Sequence, residues 1–193
     1  MTDAGSPNAP RGRPVLVTAE QIEAVALRLW SERGYQEVSV ADVAAEVGVT
    51  ARTIFRRYPT KADIVWGPLT DVFRLLAEAL EQTSPKASLF GRARTAMVNI
   101  IRNGDITPTA QHRIRIVALT PELQSSTSPP FQLWRQSLYD FAVAQPDVDA
   151  LHAQVFAWSV QSTALAGLIW WVDQEPETAP WQAVEKAFEH LMD

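Results

Sequence analysis

Residues 39–61 read SVADVAAEVGVTARTIFRRYPTK and contain two short helical patterns that are joined by a glycine. Ser39 precedes the first pattern, where a helix N-cap is expected, and Thr50 precedes the second. Gly48 supplies the left-handed backbone conformation that commonly ends a helix. Two short helices across such a tight turn are typical of a helix-turn-helix. The apolar positions that would hold them together are Val40, Val43, Ala44, Val47, Ile54 and Tyr58.

The second helix carries its cations on the side away from Ile54 and Tyr58. Residues 47–62 contain four cations and no acidic residue. A helix that fits the major groove with donors outward can meet phosphates and base edges together. The alternative is a solvated basic face on an ordinary helical hairpin. Within this stretch, the residues that we expect to contact DNA are Ser39, Thr50, Arg52, Thr53, Arg56, Arg57 and Lys61.

The composition indicates a globular chain. Of its 193 residues, 47% are apolar and 20% are charged, and there is no cysteine. Disulfides and cysteine zinc sites are therefore excluded. The N-terminus lacks the apolar core of a signal peptide, and the longest apolar run, residues 164–172, is too short to span a bilayer. We expect a soluble, cytoplasmic protein with no membrane partner.

The charge is unevenly distributed along the chain. The net charge is −5, yet residues 1–61 carry +1 and residues 62–193 carry −6. Charges act strongly on DNA phosphates only within about a Debye length. An acidic body can therefore carry a basic DNA-binding head.

The sequence divides into an arm, a head and a body. Residues 1–17 contain three prolines and the basic sequence Arg-Gly-Arg-Pro, which predicts a flexible arm. Arg11 and Arg13 would suit the minor groove of A·T-rich DNA, although a tail without a DNA contact is equally compatible. Residues 18–64 begin with a Thr18-x-x-Gln21 capping box and complete a three-helix DNA-binding domain. We expect residues 65–193 to form a ligand-binding and dimerisation domain.

Residues 34–44, residues 48–58 and Lys61 resemble the DNA-binding domain of the TetR family of bacterial repressors. The resemblance implies that the second helix is a recognition helix and that Lys61 binds a phosphate. The family often has tyrosine at the position of Phe55 and histidine at the position of Arg57. Phe55 lacks the hydroxyl of that tyrosine, whereas Arg57 could replace the histidine contact with a permanent charge.

The body is predicted to be helical throughout. The helix from Lys61 to about Gln82 should kink or break at Gly67-Pro68, because proline lacks an amide proton and clashes with the preceding turn. Further helices are expected at 84–103, from 107 through 118, from 128 through 141, at 148–171 after a cap at Asp147, and at 180–191, and Thr120-Pro121 begins a short piece. No run alternates over the length of a strand. The fold class is all-α and TetR-like, with an N-terminal helix-turn-helix domain and a C-terminal helical domain.

Two helices of the body are expected to form a homodimer. The helix at 148–171 is apolar on nearly every side, and such a helix must be covered on every side. We expect it to pair with the last helix and with their copies in a second subunit, although a monomer core is the alternative. A dimer would present two recognition helices about 34 Å apart. The predicted interface residues are Phe156, Val160, Leu168, Trp171, Trp181 and Phe188.

Other aromatic residues of the body fit either a core or a ligand pocket. The predicted pocket residues are Trp66, Phe73, Met97, Arg113, Trp134 and Phe141. His112, Arg113 and Arg115 lie on one short helix, which favours a solvated face with ion pairs. They could instead hold a phosphate or carboxylate at a pocket mouth.

Residues 58–67, 113–123 and 134–142 resemble actinobacterial regulators that are associated with the mycofactocin system. This second resemblance implies a long-chain acyl-CoA effector. The two resemblances together imply a dimeric repressor that a small apolar effector releases from a palindromic operator in double-stranded DNA.

The rival functions have little support in the sequence. The three histidines lie far apart, and no Gly-x-Ser-x-Gly motif, P-loop or Glu-x-x-His is present. We therefore expect no catalytic residue, no metal site and no cofactor. A helical interaction module that binds an acidic partner other than DNA is the third interpretation.

Overall fold

The computed structural model describes residues 17–104, 107–125, 128–174 and 178–192. Within these ranges the chain forms helices and no strand, as the all-α prediction requires. Arg11 and Arg13 lie outside the described residues. The helices are α1 Ala19–Arg33, α2 Val40–Val47, α3 Ala51–Phe55, α4 Lys61–Glu81, α5 Leu89–Asn103, α6 Pro108–Leu119, α7 Pro129–Val143, α8 Ala150–Asp173 and α9 Pro180–Met192.

The head consists of α1, α2 and α3 around a small apolar core. Capping boxes begin α1 at Thr18 and α2 at Ser39, as the sequence predicts. The indole N–H of Trp30 donates to the carbonyl of Val38 at 3.0 Å, which ties α1 to the segment before α2. The buried residues of the head core are Ala26, Leu27, Val38, Val43, Ala44 and Ile54.

The long helix α4 connects the head to the body. It begins after a capping box formed by Thr60 and Asp63 and runs unbroken through Gly67-Pro68. Of the kink or break expected at this proline, the break is therefore wrong, and the kink stays a prediction. The carbonyl of Ile64, four residues before Pro68, accepts a hydrogen bond from a side chain that is described below.

The body packs around α8. Helix α8 contacts α7 on one side and α9 on the other, α4 packs against α7, and α5 packs against α9. In length and composition α8 resembles a membrane span, but 44% of its most apolar window is buried inside the protein. An apolar core helix passes the same test, and the packing of α8 identifies it as one.

Three helix starts in the body differ from the prediction. Helix α5 begins at Leu89 after its cap Ser88, five residues beyond Ser84, and residues 120–124 form a turn. Helix α8 is capped by Asp149, because Asp147 has a positive φ of 63° and cannot serve as the cap. The starts at Pro108, Pro129 and Pro180 are confirmed.

Candidate nucleic-acid interface

The turn between α2 and α3 has the geometry that its sequence predicts. Gly48 adopts φ 80° and ψ 30°, in the left-handed region, and its N–H donates back to Ala44 and Ala45. The N–H of Val49 also donates to the carbonyl of Ala44, at 2.9 Å. Ala44 of α2 and Ile54 of α3 are buried, so packing between the two helices fixes the orientation of α3.

Helix α3 presents a basic outer surface, which we call the α3 face and define as Arg52, Phe55, Arg56 and Arg57. All four side chains are exposed. Within the described residues, the ion pairs involve neither Arg52 nor Arg56. Two exposed guanidinium groups that form no ion pair can donate to phosphate or base acceptors at little cost in lost protein interactions.

The three hydroxyl side chains that were predicted to contact DNA, Ser39, Thr50 and Thr53, form hydrogen bonds within the head. The hydroxyl of Ser39 donates to the carboxylate of Asp42 at 2.6 Å, and this bond holds the pKa of Asp42 below its usual value. Thr50 caps α3 by accepting from the N–H of Thr53, and their hydroxyls lie 3.0 Å apart. Thr50 and Thr53 belong to the cap and first turn of α3, and the capping roles of Ser39 and Thr50 compete with direct DNA contacts.

Lys61 is turned away from the α3 face. Its ammonium contacts the carbonyl of Tyr35 and lies 4.3 Å from the centre of the Tyr35 ring and 5.2 Å from that of Trp30. Burial in this aromatic corner lowers the pKa of Lys61. A phosphate contact by Lys61 therefore requires its side chain to leave this corner.

The predicted pocket aromatics pack against one another in the body core. The rings of Phe73 and Trp134 stack with centres 5.3 Å apart, and Phe131 meets Trp66 and Trp134 edge-on at 5.5 and 5.7 Å. Met97 and Phe141 are buried as well. The indole N–H of Trp134 is buried and finds no hydrogen-bond partner within the described residues.

Arg113 is neither on a solvated face nor at a pocket mouth. Only 5% of this residue is exposed, and its guanidinium bonds to α1 and α4. The solvated-face interpretation is wrong for Arg113, although Arg115 is exposed as expected and His112 is half-buried. The sequence could not identify the partners of Arg113, since they lie 48 to 90 residues earlier in the chain.

Four of the predicted dimer residues lie inside the protomer. Phe156, Val160 and Phe188 are fully buried, and Trp171 is 4% exposed, because neighbouring helices of the same protomer already cover them. These four assignments are corrected to core residues. Leu168 and Trp181 are half-buried. They remain partly available to a second subunit.

A different side of α8 carries exposed apolar residues. Leu151, Val155 and Trp158 recur at helical spacing and are 72%, 54% and 41% exposed. Trp170 and Leu191 line a groove of about 540 Å³ between α8 and α9. We call the exposed apolar residues of these two helices, Leu151, Val155, Trp158, Trp170 and Leu191, the outer α8–α9 face. Two of its rings also carry a cation, because the guanidinium of Arg135 lies 4.1 Å from the centre of Trp158 and the ammonium of Lys186 lies 5.1 Å from that of Trp170. The sequence contains the helical spacing of Leu151, Val155 and Trp158. Because other positions of α8 are also apolar, this spacing alone does not identify the exposed side of the helix.

The fold and the exposed α3 face define the protein as a helix-turn-helix DNA-binding regulator. Residues 22–65 match the family described as "Bacterial regulatory proteins, tetR family", and residues 88–193 match the MftR C-terminal domain. The chain therefore belongs to the TetR family of transcriptional regulators and carries an MftR-type C-terminal domain.

Known proteins agree with this assignment. A Mycobacterium tuberculosis protein that is named as a mycofactocin biosynthesis transcriptional regulator, MftR, is 29% identical over 85% of this chain and 84% of its own length. The repressor NalD of Pseudomonas aeruginosa superposes with a TM-score of 0.62 at 17% identity, covering 90% of this chain and 93% of NalD. The regulator FadR of Bacillus subtilis, solved with stearoyl-CoA, has a TM-score of 0.58 at 18% identity, covering 90% and 97%. These relatives are regulators and not enzymes.

Proposed function

We propose that the protein is a cytoplasmic, dimeric repressor that a small apolar effector releases from a palindromic operator. The exposed α3 face is the observation that carries the proposal. Within the part of the chain that the structure describes, Arg52 and Arg56 form no ion pair, and they follow the turn that begins at Gly48, as a helix that binds the major groove requires. Arg57 adds a third cation, and Lys61 becomes a fourth if its side chain leaves Tyr35. The acidic body stays outside the range of the phosphates.

Dimerisation through the outer α8–α9 face supplies the second DNA-binding head. This face gathers five exposed apolar side chains, and such a patch on a soluble protein commonly marks an interaction surface. Two copies related by a two-fold axis would bury both faces at once. The symmetry of the pair then matches the symmetry of a palindromic operator.

The effector site is proposed between α4 and α7, around the stacked rings of Phe73 and Trp134. The buried N–H of Trp134 has no partner within the described residues, and a buried unpaired donor is costly unless something accepts from it. An apolar ligand with one carbonyl oxygen would supply that acceptor while replacing aromatic contacts. The rings must separate to admit it, so binding favours a second arrangement of α4.

The finer proposal is a long-chain acyl-CoA effector. It is supported by the likeness to MftR-type regulators and by the fold shared with FadR, whose structure holds stearoyl-CoA. An acyl-CoA has both features that the site requires, because its chain is apolar and its thioester offers a carbonyl oxygen.

The test uses a DNA duplex that the wild-type protein selects from a random library. Stearoyl-CoA should release this duplex, and free CoA should not. The Trp134→Phe variant, which keeps an aromatic ring but loses the donor, should need about tenfold more stearoyl-CoA for release. Trp171→Phe is the matched control, because Trp171 is as buried as Trp134 but its indole N–H already donates to the carbonyl of Thr178, and it should respond as the wild type does. A duplex that stays bound at saturating stearoyl-CoA would exclude this effector.

A further inference from the structure

Arg113 joins the body to the DNA-binding head through one buried guanidinium. It projects from α6, and its Nη1 donates to the carbonyl of Ile64 at 3.0 Å and also to the carbonyl of Val65. Its Nη2 donates to the carboxylate of Glu23 on α1 at 2.7 Å. One side chain of the body therefore holds the start of α4 and the middle of α1.

Pro68 explains why a carbonyl inside α4 is free to accept from Arg113. In a regular α-helix the carbonyl of Ile64 would accept from the N–H of residue 68, and proline has none. The carbonyl is buried, since Ile64 is 0% exposed, so it needs another donor. Arg113 supplies that donor, and α4 continues through the proline without a break.

Glu23 carries the connection onward to the end of the recognition helix. Its Oε2 accepts from Arg113, and its Oε1 accepts from the hydroxyl of Tyr58 at 2.7 Å. Tyr58 lies three residues after the end of α3, and its backbone N–H donates to the carbonyl of Ile54. Burial and the bond to Glu23 raise the pKa of Tyr58 to about 12, so its hydroxyl stays protonated and donating.

The three residues Arg113, Glu23 and Tyr58 form what we call the Arg113 network. It is enclosed, because Arg113 and Tyr58 are 5% and 7% exposed and the side chain of Glu23 is 13% exposed. Charge-assisted bonds in such surroundings are strong and directional. A displacement of α6 cannot leave these bonds intact unless α1, α4 and the end of α3 move with it.

We propose that Arg113 is the positioning residue that sets the orientation of the DNA-binding head on the body, and that the Arg113 network carries movements of α6 to α3. The connection runs from the carbonyl freed by Pro68, through Arg113 and Glu23, to Tyr58. It gives the effector domain a direct mechanical link to the α3 face.

The matched control is Arg92, a second buried arginine. It is 7% exposed and donates to Thr83, to Gln145 and to the carbonyl of Leu80, all of them in the body. Arg113→Met and Arg92→Met each remove a buried guanidinium with several bonds. Only Arg113→Met removes bonds to the head.

The first measurement is affinity for the library-selected duplex. Arg113→Met should weaken binding by about tenfold, and Arg92→Met should leave it unchanged below the unfolding temperature. Tyr58→Phe alone should weaken binding a few-fold and should add nothing in the Arg113→Met background, because both changes interrupt the same connection. Pro68→Ala, which restores an amide opposite Ile64, should recover part of the loss in Arg113→Met.

The second measurement does not depend on DNA. Amide hydrogen exchange in α1 and at the start of α4 should rise in Arg113→Met and stay at the wild-type level in Arg92→Met. Should Arg113→Met fail to fold, Tyr58→Phe removes only one hydroxyl and carries both measurements. Equal effects of the two arginine variants, or additive losses from Arg113→Met and Tyr58→Phe, would overturn the proposal. Failure of the wild type to select any duplex would instead contradict the proposed function, and the exchange comparison would still stand.

Discussion

Gly167 of α8 lies directly against Val184 of α9. A Cβ on Gly167 would stand 2.9 Å from the Cα of Val184 and 3.0 Å from the carbonyl oxygen of Ala183. Both neighbours are backbone atoms, so neither can rotate away. The close crossing of α8 and α9, which creates the outer α8–α9 face, therefore depends on the absence of a side chain at residue 167.

Gly167→Ala should lower the free energy of unfolding by about 1–3 kcal/mol, because the two helices must separate to admit the methyl group. Gly67→Ala is the matched control on α4, where a Cβ would meet nothing closer than 3.8 Å. It should instead stabilise the protein by about 0.5–1 kcal/mol. Urea unfolding of the two variants measures both values, and equal stability of both would contradict the packing described here.

Arg52→Ala and Arg56→Ala should each weaken binding to the selected duplex by about 1–3 kcal/mol if the arginine reads a base edge. A contact with phosphate alone would lower the slope of log affinity against log salt by about one. Arg74→Ala, an exposed arginine on α4 whose partner is Asp71, should change neither quantity. Titrations at several salt concentrations separate these results.

Phe55 is 46% exposed in the middle of the α3 face, so its ring is available for a contact with DNA. We expect it to contact a thymine methyl group in the major groove, since apolar side chains recognise that group. Phe55→Ala should weaken binding and abolish the preference for thymine over uracil at one position of each half-site. Binding curves for paired duplexes with thymine or uracil measure this preference. An undiminished preference in the variant would rule out the contact.

Val155→Asp should produce folded monomers, because it places a charge on the outer α8–α9 face without entering the core. Leu75→Asp is the matched control on α4, with 53% exposure against 54% for Val155, and it should leave the dimer intact. Phe156→Asp should unfold the protomer, since that ring is fully buried. Sedimentation velocity and circular dichroism distinguish the three outcomes. A dimeric Val155→Asp protein would place the interface elsewhere.

The stability of the protein should fall as the pH rises through the interval from 10 to 12. The pKa of Tyr58 is raised from 10.0 to about 12, so the folded state holds this proton more tightly than the unfolded state does. The stabilisation is complete below pH 10 and is lost as the pH approaches 12. Unfolding of Tyr58→Phe should depend less on pH in this interval. An identical pH dependence in wild type and variant would show that Tyr58 does not supply it.

Local chemistry made the head predictable from the sequence. Ser39, Gly48 and Thr50 act within three or four residues of themselves, so their caps and turn follow from the residues alone. The start of α5 was misplaced for a related reason. Ser84-Pro85 and Ser88 both satisfy the local rule for a helix start, and the packing of Leu89 and Phe90 against the core selects the second.

Tertiary partners could not be predicted in the same way. Arg113 was expected in the ligand pocket or on a solvated face with ion pairs, and the carbonyl that it satisfies is 49 residues away. Phe156 was assigned to the dimer because α8 is apolar all round. An apolar pattern of this kind does not show which side of the helix packs within its own subunit. In both cases the deciding contact comes from another helix, and no pattern within one helix reports it.

The central claim is that two α3 faces of one dimer read one face of a DNA duplex. Hydroxyl-radical footprinting of the wild-type protein on the selected duplex tests this claim most directly. We predict two symmetric protected segments with centres about 10 base pairs apart, both lost in the Arg52→Ala, Arg56→Ala double variant. A folded wild-type dimer that protects no segment, or a footprint that persists in the double variant, would contradict the account.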